Sequence, residues 1–156
     1  TEPEITNIMP AGIYSSGKAY DDNREEPYFE KDGIRFCAVI TVPAAETELP
    51  VCSDFSMEIM KNYPCRYSGT AAGDDLIIAA HNYDSHFGRL KNLQGGDEIY
   101  LTDAAGKVTV YTVTETEVIP GTETGDMKSG AWDLTLFTCD LSGKNRIAVR
   151  CVRKKL

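Results

Sequence analysis

The residues of this chain best suited to chemistry are a cysteine and an arginine near its C-terminal end. Cys139 ends a strand-like run that begins at Leu134, and Arg146 opens the strand-like run 146–150 after a short Gly- and Asn-containing loop. If the two runs form a hairpin, Cys139 and Arg146 face each other across its mouth. A cysteine is a nucleophile as its thiolate, which a neighbouring cation or base favours. The pair therefore predicts nucleophilic chemistry, provided that a base lies nearby.

His81 is the candidate base. It directly follows the continuous apolar run 76–80, and continuous apolar residues are typical of a strand that is covered on both faces. If this strand runs parallel to the one that ends at Cys139, both strands end at the same edge of the sheet. Since Arg146 enters at that edge too, three segments would converge on one site. From spacing alone, this convergence indicates a cysteine-dependent hydrolase or acyltransferase.

Other polar residues nearby offer alternatives or supporting roles. Arg150 shares a face with Arg146 but lies deeper along its strand, and His86 lies in the loop beyond His81, so both are second choices. Three more residues are candidate substrate or orienting contacts, namely Asn82, Asp84 and Thr138. Each of these residue types is more often structural when it occurs singly, so the prediction depends on the residues being brought together.

Composition restricts the class of protein. At 156 residues the chain is predicted to form one domain, and its net charge of −8 argues against nucleic acid or an anionic membrane surface as a partner. No run of about 18 apolar residues occurs that would indicate a membrane-spanning helix. The five cysteines show no metal-binding spacing, so neither a metal nor another cofactor is expected.

The elements that must position these residues are predicted to be mainly strands. Residues 1–33 are polar and rich in Pro and Gly, which indicates an extended arm with little regular structure. Many short strands with few helices predict an all-β barrel or sandwich. The predicted elements are strands at 34–42, 49–52, 76–80, 98–102, 107–119, 134–139 and 146–151, a helix at 55–61 with Phe55, Ile59 and Met60 buried, a surface connection at 65–75, a helical turn at 87–93, a hairpin turn at 103–106, and a bulge between Val110 and Val113.

Three of these stretches resemble the sortases, the cell-surface cysteine transpeptidases of Gram-positive bacteria. Residues 135–139 (T-L-F-T-C) resemble the family's T-L-x-T-C signature, and residues 77–81 (I-I-A-A-H) are similar to its apolar strand ending in a histidine. F-G-R-L at 87–90 and G-D at 96–97 follow in the family's order, and residues 146–150 (R-I-A-V-R) resemble its arginine strand. The resemblance runs from about Ile34 to Val152.

The resemblance implies a fold and a reaction. The fold would be all-β with short helices, a closed eight-stranded barrel in a catalytic domain of residues 34–156 behind the arm 1–33. Cys139 would be the nucleophile, His81 the acid and base, and Arg146 the group that binds the oxyanion or orients the substrate. The enzyme would cleave an LPxTG-like sorting motif between Thr and Gly. It would then transfer the acyl group to an amine of the cell-wall cross-bridge or of a pilin lysine.

The resemblance further implies a monomer on the outer face of the cell membrane, anchored by a segment outside the present sequence. It leaves the subclass unresolved, because the arm 1–33 lacks an obvious Asp-Pro-aromatic lid and the link 120–133 is too short for a long helical insertion. Two alternatives stay open from the sequence. One is a cysteine peptidase that only hydrolyses, and the other is a non-enzymatic β-barrel surface module in which Cys139 is a packed thiol.

Overall fold

The computed structural model describes residues 27–80, 90–120, 132–139 and 145–154, without the side chains of Lys91, Pro120 and Cys139. Within these ranges the chain forms strands and three short 3₁₀ helices. The strands are β1 (Phe29–Lys31), β2 (Ile34–Val42), β3 (Thr47–Cys52), β4 (Cys65–Ser68), β5 (Leu76–Ala79), β6 (Glu98–Asp103), β7 (Val108–Pro120), β8 (Leu134–Cys139) and β9 (Asn145–Arg153), and the 3₁₀ helices are Pro43–Ala45, Ile59–Lys61 and Leu90–Asn92. None of the helices in these ranges has the length and apolarity needed to span a bilayer.

Strands β2 to β9 close into a barrel. Their spatial order is β2-β3-β4-β5-β8-β9-β7-β6, and β6 returns to pair with β2. The closing contact is antiparallel and joins Ala38–Thr41 of β2 to Tyr100–Asp103 of β6. Strand β1 is added at the beginning of β2, outside the ring. The predicted closed eight-stranded barrel with short helices is therefore confirmed.

Apolar side chains form two layers, one on each face of the barrel wall. The inner layer fills the barrel and includes Ile40, Ile78, Leu136 and Val149. The outer layer lies beneath the segments that cross the barrel surface; its buried members are Phe29, Phe36, Val39, Cys52, Met60, Cys65, Ile77, Ala79, Ala104, Ile119, Phe137 and Ala148. Because strand residues alternate between faces, β5 and β8 contribute to both layers.

Strand β5 shows why a continuous apolar sequence, without alternating polar residues, predicts a strand that is buried on both faces. All four of its residues are buried, because the strand lies between β4 and β8 and is covered on both faces. It runs parallel to β8, in register from Leu76 opposite Leu134 to Ala79 opposite Phe137. The predictions of a doubly covered strand and of a parallel neighbour are both confirmed.

The prediction of little regular structure before Gly33 is wrong for Phe29–Lys31. These residues form β1, joined to β2 by a tight turn in which Asp32 and Gly33 have φ angles of 54° and 80°. An Asp-Gly pair favours such a turn because both central positions need positive φ. That pair was the missed signal. Residues 1–26 lie outside the described residues.

The helix predicted over 55–61 is also wrong, since only Ile59–Lys61 is helical and it is a 3₁₀ turn. The Ser56 hydroxyl accepts a hydrogen bond from the Ile59 N–H at 3.2 Å, at the start of this turn. Phe55 is 40% exposed, whereas Met60 is buried as expected. The connection must return the chain from the end of β3 to the start of β4, which pairs with it. That short span limits regular helix to a single turn.

Residues 65–75 were predicted to be a surface connection, but Cys65–Ser68 form β4. This strand pairs with β5 antiparallel and with β3 parallel. Its sequence Cys-Arg-Tyr-Ser alternates apolar and polar residues, and Cys65 and Tyr67 pack in the outer apolar layer. The pattern covers only four positions, so the strand depends on pairing with its neighbours.

The second half of the barrel follows the prediction closely. Gly106 has a φ of 90°, and its N–H donates to the Asp103 carbonyl at 2.9 Å, which closes the predicted hairpin turn. The register of β7 against β9 shifts between Val113 and Glu115, which places a bulge just after the predicted phase change. Leu90–Asn92 form a 3₁₀ turn within the predicted 87–93, of which residues 87–89 lie outside the described residues.

Candidate active site

Cys139 and Arg146 lie opposite each other at one end of the barrel. They are Cα partners at the last register position of the antiparallel pair β8–β9, as the sequence predicts for a hairpin. On its other side, Arg146 is paired with Ile119 of β7. Cys139 therefore stands at the end of its strand with a guanidinium-bearing residue on the next strand.

The parallel pair β5–β8 brings the end of a second strand, β5, to the same end of the barrel. The Ala80 N–H donates to the Phe137 carbonyl at 3.1 Å, so the pairing extends to the last described residue before His81. The candidate histidines His81 and His86, and the candidate contacts Asn82 and Asp84, lie outside the described residues.

Arg150, the alternative arginine, is a buried structural residue. Its side chain is 1% exposed, and its Nε donates to the Glu117 carboxylate at 2.8 Å. Its Nη1 donates to the Thr135 hydroxyl at 3.1 Å. Through these two contacts the Arg150 guanidinium on β9 links β7 and β8, deeper in the barrel than the strand ends at Cys139 and Arg146. Arg146 is only partly buried, and it lies at the strand end beside Cys139.

Thr138, a candidate substrate contact, faces away from this edge. Its side chain is 2% exposed, and its hydroxyl has no hydrogen-bond partner among the described residues. It lies two residues after Leu136 and so shares the barrel-facing side of β8 with Leu134 and Leu136. Any substrate contact from Thr138 must therefore come from its backbone.

A chain of aromatic rings next to Cys139 was not foreseen. Phe137, two residues before the cysteine, contacts the Tyr67 ring edge-to-face at a centroid distance of 5.3 Å. Tyr67 contacts Phe55 in the same way at 5.2 Å. We call these three residues the aromatic ladder. The ladder runs outward from the buried β8 to the half-exposed Phe55, and it was missed because Tyr67 lies in the segment that was predicted to be a surface connection.

The fold and the site together define a class of protein. A closed β-barrel presents a cysteine at the end of one strand and an arginine opposite it on the next, with a buried parallel strand leading to the same edge. A cysteine next to an arginine is a pairing that favours the thiolate, which is the reactive form of cysteine.

Comparison with known families makes the identification specific. The family model described as the sortase domain matches residues 40–154, which is most of the chain. The chain belongs to the sortase family and is a cysteine transpeptidase. This membership argues against a non-enzymatic surface module. It also implies a peptide sorting signal as substrate and an amine as acceptor.

Solved structures share the fold at low sequence identity. The structure of Streptococcus agalactiae sortase C1 in complex with MTSET has a TM-score of 0.69 and 20% identity, covering 78% of this chain and 70% of that one. Sortase A from Corynebacterium diphtheriae has a TM-score of 0.69 and 21% identity, covering 100% and 70%. A pilus-related sortase C of Group B Streptococcus has a TM-score of 0.68 and 21% identity, covering 99% and 91%. No curated protein sequence matches the chain.

Proposed function

We propose that this transpeptidase uses Cys139 as nucleophile, His81 as acid and base, and Arg146 as the group that binds the oxyanion. The observation that carries the proposal is the pairing of Cys139 with Arg146 at the end of β8 and β9. The parallel register of β5 and β8 supports the role of His81, because His81 precedes Cys139 by the same number of positions as Leu76 precedes Leu134.

In the first half of the reaction, the Cys139 thiolate attacks the carbonyl carbon of the Thr–Gly bond in an LPxTG-like motif. The carbonyl electron pair moves onto the oxygen, and the Arg146 guanidinium, which stays protonated, donates hydrogen bonds to this oxyanion. When the intermediate collapses, the C–N bond breaks and protonated His81 gives its proton to the leaving glycine amine. A thioester on Cys139 remains.

In the second half, an amine attacks the thioester carbon. Neutral His81 accepts the proton of the incoming amine, a new amide bond forms, and Cys139 departs as the thiolate. Asn82 and Asp84 are proposed to orient His81 or to line the peptide groove, and Thr138 to contact the substrate through its backbone. No cofactor or metal takes part in these steps.

The acceptor and the location are proposed at a finer level than family membership gives. The protein acts on sorting signals of surface proteins or pilins, and the amine comes from a cell-wall cross-bridge or from a pilin lysine. One of the similar structures is named as a pilus-related sortase, so a lysine side chain is the first acceptor to examine. The catalytic domain, residues 34–156, lies outside the membrane. It is anchored there by a segment beyond the present sequence.

Cleavage of a fluorogenic LPxTG-type peptide library tests the nucleophile. We expect Cys139→Ala to reduce cleavage to the level of the blank, and the control variant Cys37→Ala, in which another cysteine is changed, to keep it. Products analysed by mass spectrometry with and without a lysine-containing peptide or triglycine distinguish transfer from simple hydrolysis. Full cleavage by Cys139→Ala would refute the proposal.

A pair of variants on the same strand tests the arginine. We expect Arg146→Ala to lower kcat/KM by about 100- to 1,000-fold, as for other oxyanion donors. Arg150→Ala should keep most of the activity per folded molecule, because its guanidinium contacts Glu117 and Thr135. The folded fraction is measured by circular dichroism before each assay. If Arg150→Ala lost more activity per folded molecule than Arg146→Ala, the assignment of Arg146 would be wrong.

A further inference from the structure

Two buried thiols lie side by side where β3 ends and β4 begins. Cys52 ends β3 and Cys65 opens β4, and their Cα atoms are partners where these two strands run parallel. Their residues are 2% and 0% exposed, and both belong to the outer apolar layer. The two side chains lie close enough to shift each other's pKa. The proposed transpeptidation uses neither of them.

We propose that Cys52 and Cys65 are a disulfide site, and that the protein outside the membrane carries a bond between them. Neighbouring strands lie about 4.8 Å apart, and a disulfide joins Cα atoms that are about 4.4 to 6.8 Å apart. The paired strand ends therefore hold the two residues within the range of Cα separations that a disulfide spans. An extracellular location also favours the bond, because disulfides persist in oxidising surroundings.

The bond forms by exchange with the disulfide of a small molecule or of a protein oxidant. The thiolate of Cys52 attacks one sulfur of the oxidant, forms a mixed disulfide and releases the other half as a thiolate. Cys65 then gives up its proton, attacks the Cys52 sulfur and releases the second half. Two protein thiols are oxidised to one disulfide, and the oxidant disulfide is reduced to two thiols.

The surroundings of the two thiols give them different roles in this exchange. The interaction with the Cys65 side chain is the largest influence on Cys52 and lowers its pKa to about 7, although burial opposes the change. The same interaction, followed by burial, raises the pKa of Cys65. Cys52 is therefore the thiol that ionises first and attacks the oxidant.

Burial also sets when the exchange can occur. The connection 53–64 lies over the pair, with the Cys52 sulfur 3.2 Å from the Asp54 carbonyl oxygen and the Cys65 sulfur 3.7 Å from that of Tyr63. An oxidant reaches the thiols before this connection packs, or during its local opening. Once formed, the bond is shielded from reductants by the same residues.

The bond would restrain the strands β3 and β4 on the side of the barrel near Cys139. Register partners link Cys65 to Ala79 of β5, and Ala79 to Phe137 of β8. The connection closed by the bond also carries Phe55, the outer member of the aromatic ladder. A disulfide here would hold that ladder against the strand that ends in Cys139. This inference rests on the proposed location outside the membrane but not on the proposed catalytic roles.

Peptide mapping tests the bond in the unmodified chain. The protein is refolded in a mixture of reduced and oxidised glutathione, its remaining thiols are alkylated under denaturing conditions, and it is digested with trypsin. Cleavage after Lys61 puts the two cysteines on separate peptides, 36–61 and 62–66. We expect these peptides to be joined, and to separate on reduction. Peptide 36–61 also contains Cys37, so Cys37→Ala is the matched control and should keep the linkage.

Thermal unfolding gives a second readout. A loop of this length predicts a melting temperature about 6 to 12 °C higher for the oxidised protein than for protein refolded in dithiothreitol. The difference should persist in Cys37→Ala and vanish in Cys65→Ala. The proposal is overturned if all five cysteines are alkylated after oxidative refolding, if the linkage is lost in Cys37→Ala, or if oxidised and reduced wild-type protein melt at the same temperature.

Discussion

Arg146 and Arg150 are the same residue type on the same strand, yet they differ in burial and in the residues they contact. Arg150 is 1% exposed, and it reaches across to Glu117 on one neighbouring strand and to Thr135 on the other. Arg146 is partly exposed and lies level with Cys139. A charged side chain that is buried must be paired, because an unpaired buried charge is strongly destabilising. Depth along β9 therefore separates a stabilising arginine from one that can meet a substrate.

Replacing each arginine by methionine measures this difference in stability. We expect Arg150→Met to lower the free energy of unfolding by about 2 to 4 kcal/mol, since Glu117 and Thr135 lose a charged donor. The matched change Arg146→Met should cost less than Arg150→Met, because Arg146 is only partly buried and partly exposed charges contribute less than buried ones. Urea unfolding followed by circular dichroism gives both values. Equal losses in the two variants would contradict the structural role of Arg150.

Cys151 predicts a pH dependence of stability. Burial raises the pKa of this thiol from 9.0 to about 12. The native state thus keeps its proton at pH values where the unfolded chain has lost it. The stabilisation is complete below pH 9 and is lost as the pH rises from there towards 12. Between pH 8 and pH 10 the free energy of unfolding should fall by about 1.4 kcal/mol from this group.

The comparison variant for that prediction is Cys151→Ala, which removes the titrating group. We expect it to unfold more readily at pH 8, because it leaves a small cavity, but to lose less further stability on going to pH 10. Urea titrations of both proteins at the two pH values give the difference. The same loss between pH 8 and pH 10 in both proteins would show that Cys151 does not cause it.

At the scale of elements, the turns decide how strands meet. The β4–β5 connection begins at Gly69, whose φ is 76°, and a Cβ there would lie 2.0 Å from the Asp75 carbonyl oxygen. This close approach lets β4 turn back and pair with β5. Gly106 in the β6–β7 turn also has a positive φ, of 90°, but a Cβ there would meet no atom within 4 Å.

These two glycines form a matched pair for substitution by alanine. Gly106→Ala should cost about 1 kcal/mol, which is the strain of a left-handed backbone in a residue with a Cβ. Gly69→Ala carries the same strain and a backbone clash as well, so its cost should exceed about 2 kcal/mol. Urea unfolding at neutral pH measures both. If Gly106→Ala were the more damaging change, the clash would not be the controlling factor.

At the scale of the whole molecule, barrel closure joins distant parts of the chain. Ile40 in the first half pairs with Leu101, and Leu76 pairs with Leu134. Such non-local contacts must close long loops before they give any stabilisation, which slows folding. The barrel is therefore held together by contacts that no short segment can make alone.

Refolding should accordingly take milliseconds to seconds rather than microseconds. The fluorescence of Trp132, the single tryptophan, reports on this because it lies just before β8. Stopped-flow dilution from urea measures the rate. Leu101→Ala, which weakens packing beside the closing pair, should lower the stability by about 2 to 4 kcal/mol. A microsecond refolding phase that accounted for the full signal change would contradict this expectation.

Short stretches of the sequence by themselves determined several elements of this fold. The apolar run 76–80 indicated a doubly covered strand, Gly106 a hairpin turn, and the T-L-F-T-C stretch a strand that ends in Cys139. Each of these signals lies within a few neighbouring residues. The opposition of Cys139 and Arg146 could also be predicted, since a short loop fixes hairpin register. The family resemblance supplied the closed barrel and the reaction.

The tertiary structure decided what depends on distant partners. It made a strand of Cys65–Ser68, whose pattern is only four residues long, because β3 and β5 pair with it on both sides. It buried Arg150 beside Glu117, and it placed Cys52 next to Cys65 across a parallel contact that sequence spacing does not reveal. Which strands pair depends on how the whole barrel closes. Residues that become neighbours only when the barrel closes could therefore not be predicted to be in contact from the sequence.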